Sequence, residues 1–236
     1  MKHAFHLDQL LNQNSWKEAI DTELESINKF ATFRVLEEDE PLPPGYIKIP
    51  YHIIFDVKFD LRHRTRLVAE GNWNVLVNDE THSGVAGMDK VRMDFFLVEL
   101  SNLKCCASDV SSAHLHGITR ENVHFIAGPE FGVFEGRILI VFKSIYGLAS
   151  SGARWHEAMS DKLRRMGFVP SRTDADMWIR DKGDHCELVA THVDDLLVWL
   201  KDETTIINEI KEEFKLKNVG PPDCCLGGDV DCLTKN

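Results

Sequence analysis

This chain of 236 residues lacks several features that would narrow its class. No stretch approaches the roughly 18 apolar residues that a membrane span requires. The N-terminus, Met-Lys-His-Ala-Phe-His, has no long apolar signal core, so the expectation is an intracellular protein, cytoplasmic or nuclear, with no membrane partner. Its six cysteines, Cys105, Cys106, Cys186, Cys224, Cys225 and Cys232, include no Cys-x-x-Cys, which argues against a zinc site or a disulfide framework and for reduced thiols. Basic charge is not in excess: the formal net charge is −11, which counts against a general nucleic-acid binder and leaves room only for a local basic surface. Internal repeats and low-complexity tracts are absent as well.

What is present is the composition of an ordinary globular protein, 43% hydrophobic and 28% charged. Asn14 to Asn28 reads as a helix, opened by a Ser15/Glu18 capping box and striped by Trp16, Ile20, Leu24 and Ile27. Phe33 to Leu36 reads as a short strand, and Pro41 to Pro50 as a loop with four prolines. Tyr51 to Lys58 and Leu61 to Ala69 read as strands. The second carries Arg62, Arg64 and Arg66 two apart, so on a strand all three face one way, either as an anion-binding surface or as a solvated face. Met88, Val91, Phe95 and Val98 mark a helix, and Leu103 to Val110 a strand-like run that contains Asp109. Val123 to Ile126 and Arg137 to Phe142 read as strands. Trp155, Met159, Leu163 and Met166 mark another helix, which brings Arg154, Lys162, Arg164 and Arg165 together along the chain. Met177 to Arg180 is a candidate strand, and Asp202 to Phe214 a helix ahead of Gly220-Pro221-Pro222. The mixed order of strands and helices implies an α+β fold with a largely antiparallel sheet.

The stretch Ala190-Thr191-His192-Val193-Asp194-Asp195-Leu196-Leu197-Val198-Trp199 places two acids between apolar runs, where a hairpin turns. Carboxylates at the tip of a buried hairpin need a compensating charge, and hard oxygen donors suit Mg²⁺. Asp109 ends a similar run. Acids at matching ends of two neighbouring strands would gather three carboxylates, a set that binds two divalent ions for in-line phosphoryl displacement.

Beyond this, the sequence resembles the reverse transcriptase domain of copia-type LTR retrotransposons, through six blocks in order. Trp16-Lys17-Glu18-Ala19 with Glu23, and Thr32-Phe33-Arg34-Val35, resemble the opening helix and strand. Phe55-Asp56-Val57-Lys58 and Arg64-Thr65-Arg66-Leu67-Val68-Ala69-Glu70-Gly71 resemble the finger strands. Asp109-Val110-Ser111-Ser112-Ala113-His114-Leu115-His116-Gly117 resembles the first catalytic motif. Tyr146-Gly147-Leu148-Ala149-Ser150-Ser151-Gly152 with Trp155 follows, then Gly167-Phe168 with Ser171 and Asp174. His192-Val193-Asp194-Asp195 stands where the family has Tyr-Val-Asp-Asp.

The resemblance implies a right-hand polymerase with fingers and palm, the antiparallel palm sheet packed on helices. Residues 1–100 would be the N-terminal helix and fingers, and residues 101–236 the palm, with a fingers insertion at about 118–150. It implies two-metal nucleotidyl transfer onto a primer 3′-hydroxyl, with Asp109, Asp194 and Asp195 as catalytic metal ligands and two Mg²⁺ ions (Mn²⁺ as the alternative). Asp109 and Asp194 would carry most of the coordination. Arg64 and Arg66 would meet the incoming triphosphate, His114 the sugar, and the backbone from Gly147 to Gly152 the primer–template channel. The implied partners are an RNA or DNA template with its primer, deoxynucleoside triphosphates, and the remaining domains of an intact element, since no thumb, RNase H or integrase is expected in this stretch. His192 and His114 depart from the aromatic residues of the family, and Glu70 from a commonly basic one. His114, His116 and His192 are read as histidines without a ligand role. Two other readings stay open: a degenerate, inactive fragment, and a metal-dependent nuclease, which accounts for the acids but not for the Arg64 strand or the Tyr146 block.

Overall fold

The computed structural model describes residues 2–71, 81, 83–101, 103–201, 203–222, 224–225 and 228–229. Most of the polar stretch after Asn72, and Leu226 and Gly227, lie outside them. In chain order the elements are α1 (Lys2–Leu11), α2 (Ser15–Lys29), β1 (Phe33–Val35), β2 (Ile47–Lys48), β3 (Tyr51–Val57), β4 (His63–Ala69), α3 (Met88–Ser101) and β5 (Lys104–Val110). They continue with β6 (Val123–Ile126), β7 (Ile138–Val141), α4 (Ser151–Arg165), β8 (Val169–Pro170), β9 (Met177–Asp181), β10 (Cys186–His192), β11 (Asp195–Leu200), α5 (Glu203–Lys211), β12 (Leu216–Gly220), β13 (Cys224–Cys225) and β14 (Gly228–Asp229). No helix among the described residues is long and apolar enough to cross a membrane. Among the described residues Cys105, Cys106 and Cys186 form no disulfide.

The chain forms two compact units, Met1–His82 with His114–Trp155, and Ser83–Ala113 with His156–Asn236. In the first, a four-stranded sheet has the order β1-β7-β6-β2, and β3 and β4 make a separate antiparallel hairpin. Its core gathers Ile27, Ile49, Leu67, Val123, Phe125, Leu139 and Ile145. Strand alternation sorts β4: Thr65, Leu67 and Ala69 are buried, and Arg64 and Arg66 lie on the other, partly exposed side. Helix α2 covers the free edge of β4. Thr65 Oγ1 donates to the Ala19 carbonyl at 2.9 Å, and Glu23 Oε1 accepts the Leu67 N–H at 3.1 Å. Loss of water at that edge raises the Glu23 pKa, and the bond from Leu67 offsets part of the rise.

Two local expectations change. The helix cap is not a Ser15/Glu18 box: Ser15 is already helical, and Asn14 is the N-cap without a side-chain bond. Instead, the buried Asp8 carboxylate, brought in by α1, accepts the Trp16 and Lys17 N–H groups at 3.0 and 3.3 Å. A carboxylate supplied by tertiary packing does the work of a local hydroxyl, with a favourable charge at the positive helix end. The second change concerns Arg62. It precedes β4, in a turn where Leu61 has φ 64, and its Nε donates to Asp60 at 2.7 Å. The face-sharing pair on the strand is therefore Arg64 and Arg66.

In the second unit, a six-stranded sheet of order β12-β5-β11-β10-β9-β8 is antiparallel throughout. One face of β11 sends Leu197 and Trp199 into a cluster with Val91, Met177 and Ala190. The alternate residues Leu196, Val198 and Leu200 are buried on the other face, and α5 lies against β11 and β5. α5 stops at Lys211, short of the expected Phe214, because the chain must turn before β12 joins β5; Phe214 stays buried and still bonds to the Ile210 carbonyl. The architecture is α+β with an antiparallel sheet packed on helices, as expected from the order of elements.

Candidate active site

The second unit brings the acids together at one end of β5 and β11. These strands are antiparallel neighbours in a register that pairs Asp195 with Asp109. Directly paired residues share a face, so both carboxyl groups sit at the end of the row formed by Leu197, Trp199, Ala107 and Cys105. Asp194 is in the turn between β10 and β11, and its carbonyl accepts the Val110 N–H at 2.7 Å, tying the hairpin tip to β5. Since Asp194 is outside the strand, strand alternation does not set its direction, and the carboxyl that meets Asp109 is that of Asp195. The turn is tight: Val193 has φ 56, a left-handed backbone that is costly for a β-branched residue. His192 pairs with Asp195 across the hairpin, and its Nδ1 is buried with no hydrogen-bond partner among the described residues.

The electrostatics follow from that crowding. Desolvation, a hydrogen bond with Asp109 and the charges of Asp194 and Asp109 push the Asp195 carboxyl up to about 6, with His192 pulling the other way. Among the described residues no lysine or arginine forms an ion pair with Asp109, Asp194 or Asp195. The donor is neutral instead: Asn218 Nδ2 bonds Asp109 Oδ2 at 3.1 Å. Hard oxygens with uncompensated charge fit a Mg²⁺-type cation. Among the described residues no group of three or more His, Cys, Asp or Glu side chains is placed to hold a metal ion, and the carboxyl groups in contact are the pair Asp109 and Asp195. Mg²⁺ is often held by one or two carboxylates, with waters and substrate phosphate oxygens as its other ligands.

A pH dependence follows for the metal-free chain. Asp195 binds its proton more tightly when folded (about 6) than when unfolded (3.8), so its contribution to stability is complete below 3.8 and is lost as pH rises through 6. Because the carboxylate faces water, screening keeps the loss to about 1 kcal/mol. Urea melts in EDTA between pH 4 and 7 are expected to show a smaller decline for Asp195→Asn than for the unmodified chain. Parallel curves would remove Asp195 as the source.

The first unit holds the other expected residues. The Arg66 guanidinium lies over the Tyr146 ring at 5.0 Å, and the His114 ring meets the same tyrosine edge-on at 4.9 Å. Arg64 shares a strand face with Arg66. Gly147 has φ 87 and packs against the Ala69 carbonyl, while the Ala69 N–H donates to the Tyr146 carbonyl at 2.8 Å. Gly152 is in the first turn of α4. Sequence reasoning missed Glu121, whose buried Oε1 accepts both the N–H and the hydroxyl of Ser150, at 2.9 and 2.7 Å, and so fixes the segment before α4. It missed Asn218 as well. The only local signal for Asn218 was its place before a Val-Gly, since asparagine tolerates left-handed backbone.

Comparison with known proteins shows the family. The family described as "Reverse transcriptase (RNA-dependent DNA polymerase)" matches residues 32–235. The chain is 25% identical over 228 residues to the retrovirus-related Pol polyprotein from transposon TNT 1-94 of Nicotiana tabacum, covering 91% of the chain and 17% of that protein. It is 25% identical over 225 residues to the Pol polyprotein from transposon RE1 of Arabidopsis thaliana, covering 89% of the chain and 15% of that protein. It is 26% identical over 240 residues to the transposon Ty1-DR5 Gag-Pol polyprotein of Saccharomyces cerevisiae, covering 96% of the chain and 12% of that protein. The chain thus spans less than a fifth of the length of these relatives. A solved foamy viral protease–reverse transcriptase in complex with double-stranded DNA aligns at a TM-score of 0.45 and 13% identity, over 88% of this chain and 31% of that one. With the family pattern running through nearly all of it, the chain belongs to the reverse transcriptase (RNA-dependent DNA polymerase) family, in its copia-type branch.

Proposed function

We propose that this chain carries the nucleotidyl-transfer site of a retrotransposon polyprotein, extending a primer 3′-hydroxyl on an RNA or DNA template with deoxynucleoside triphosphates. The observation that carries the reading is the register pairing of Asp109 with Asp195, two carboxyl groups in contact and, among the described residues, in no ion pair with a lysine or arginine. Asp109, Asp194 and Asp195 are the proposed holders of two Mg²⁺ ions. When bound, such ions neutralise charge at the attacking and leaving oxygens of a phosphoryl displacement. The unit built on the six-stranded sheet is the proposed palm, and the unit with the β3–β4 hairpin the proposed fingers. Arg64 and Arg66 offer bidentate donors to a triphosphate. Tyr146 holds the Arg66 guanidinium by its ring face and the His114 ring by its edge, so His114 presents a fixed imidazole as the sugar contact. The backbone from Gly147 to Gly152 is the proposed lining of the primer–template channel.

The test is primer extension. The purified chain, given primed poly(rA), labelled dTTP and Mg²⁺, is expected to incorporate label that disappears in EDTA. No incorporation by a folded chain would mean that this copy retains the fold without the chemistry. Degradation of single-stranded DNA in the absence of nucleotides would move the same carboxylates to a nuclease.

A further inference from the structure

β5 has β11 on one side of Asp109 and β12 on the other, and the ladder to β12 is irregular. Leu216 pairs with Val110 and Lys217 with Asp109, but the next pairing is Gly220 with Ala107. β12 therefore carries one extra residue beside Asp109, which makes a β-bulge. Asn218 sits in that bulge with φ 51, in the left-handed region that asparagine tolerates better than other residues with a side chain. In a regular ladder the residue after Lys217 would point to the face opposite Asp109. Here Asn218 reaches Asp109, its Nδ2 donating to Oδ2 at 3.1 Å.

The chemistry of the donor matters. Lys217, the register partner of Asp109, forms no ion pair with it among the described residues. An ammonium at that place would neutralise the carboxylate and compete with a cation. A neutral amide orients one oxygen and leaves the negative charge in place. Bulges recur beside active sites, where they re-aim a side chain, and donors behind metal ligands set the orientation of those ligands.

We infer that Asn218 is a positioning residue for Asp109, with the β12 bulge serving to aim its amide at that carboxylate. The inference rests on the reading of Asp109 as a metal-binding acid. Asn218→Gly keeps the left-handed backbone and removes the donor, so it separates aim from fold. Mn²⁺ is the probe, titrated into the full, metal-free chain and read as free ion by electron paramagnetic resonance. Asn218→Gly is expected to weaken Mn²⁺ binding about tenfold, with the melting temperature in EDTA unchanged. Asp109→Asn is expected to weaken binding at least as much, and the double variant no further. In primer extension, kcat is expected to fall for Asn218→Gly at an unchanged KM for dTTP.

Unaltered Mn²⁺ affinity in Asn218→Gly, alongside a loss in Asp109→Asn, overturns the inference and leaves Asp109 as a ligand. A loss in Asn218→Gly that persists in full on the Asp109→Asn background overturns it too, since the amide would then act elsewhere. Unaltered affinity in Asp109→Asn overturns the reading of the site itself, and the inference with it.

Discussion

Asp109→Asn is expected to reduce primer extension by at least about 10³-fold, which corresponds to about 4 kcal/mol of lost transition-state stabilisation, while leaving the metal-free chain at least as stable as before. The two effects have one cause. Asp109 and Asp195 face each other on adjoining strands, and Asp109 disfavours ionisation of Asp195. Asparagine keeps the size of the side chain and removes one charge, so repulsion falls and the Asp195 carboxyl returns toward its ordinary range. The same change takes away a charged oxygen donor, and an amide binds Mg²⁺ far more weakly. Divalent ions should therefore raise the melting temperature of the unmodified chain and not that of the variant. A simple structural acid would behave in the opposite way, losing stability on substitution and retaining activity in proportion. Thermal melts with and without Mg²⁺, beside the extension assay, decide between the two.

Gly147→Ala is expected to cost about 2–5 kcal/mol, from about 1–2 for a left-handed alanine and about 1–3 for overpacking against backbone that cannot move aside. The second contribution arises because a Cβ on Gly147 would overlap the Ala69 carbonyl oxygen and press on Val68. Gly183 is the control. It has φ 85, and a Cβ there would meet nothing within 4 Å, so Gly183→Ala carries only the conformational contribution. The difference in melting temperature between the two variants isolates the contact. A drop of about 10 °C is expected for Gly147→Ala, with disturbance of the adjacent Tyr146, which holds Arg66 and His114. Equal melting temperatures for the two variants would show that the Ala69 carbonyl can yield.

Much of this site was legible in the chain order. Asp109 and the Asp194-Asp195 pair each end an apolar run, and a run of strand formers that stops at an acid puts the acid at a strand end wherever the strand goes. Arg64 and Arg66 could be placed on one face because strand periodicity is fixed by backbone geometry. Arg62 shows where that rule stops: the strand begins one residue later, and Asp60 takes its guanidinium. The Ser15/Glu18 box failed for a related reason. A capping signature records what nearby residues can do, and it does not register that Asp8 on a preceding helix reaches the Trp16 and Lys17 N–H groups.

The family was legible in the chain alone, because motif residues, their order and their strand or helix periodicity are local properties that survive without coordinates. Which acid meets Asp109 was not legible there, since the choice between Asp194 and Asp195 depends on where β10 ends and on the register of β11 against β5. The folded chain also brings together neighbours that no spacing announces: Glu121 on Ser150, Tyr146 beside Arg66 and His114, and Asn218 turned toward Asp109 by one extra residue in β12. The physical reason is common to all of them. A bulge or a register shift moves a side chain from one face to the other at the cost of a single residue, and that residue is chosen by packing between segments distant in the chain.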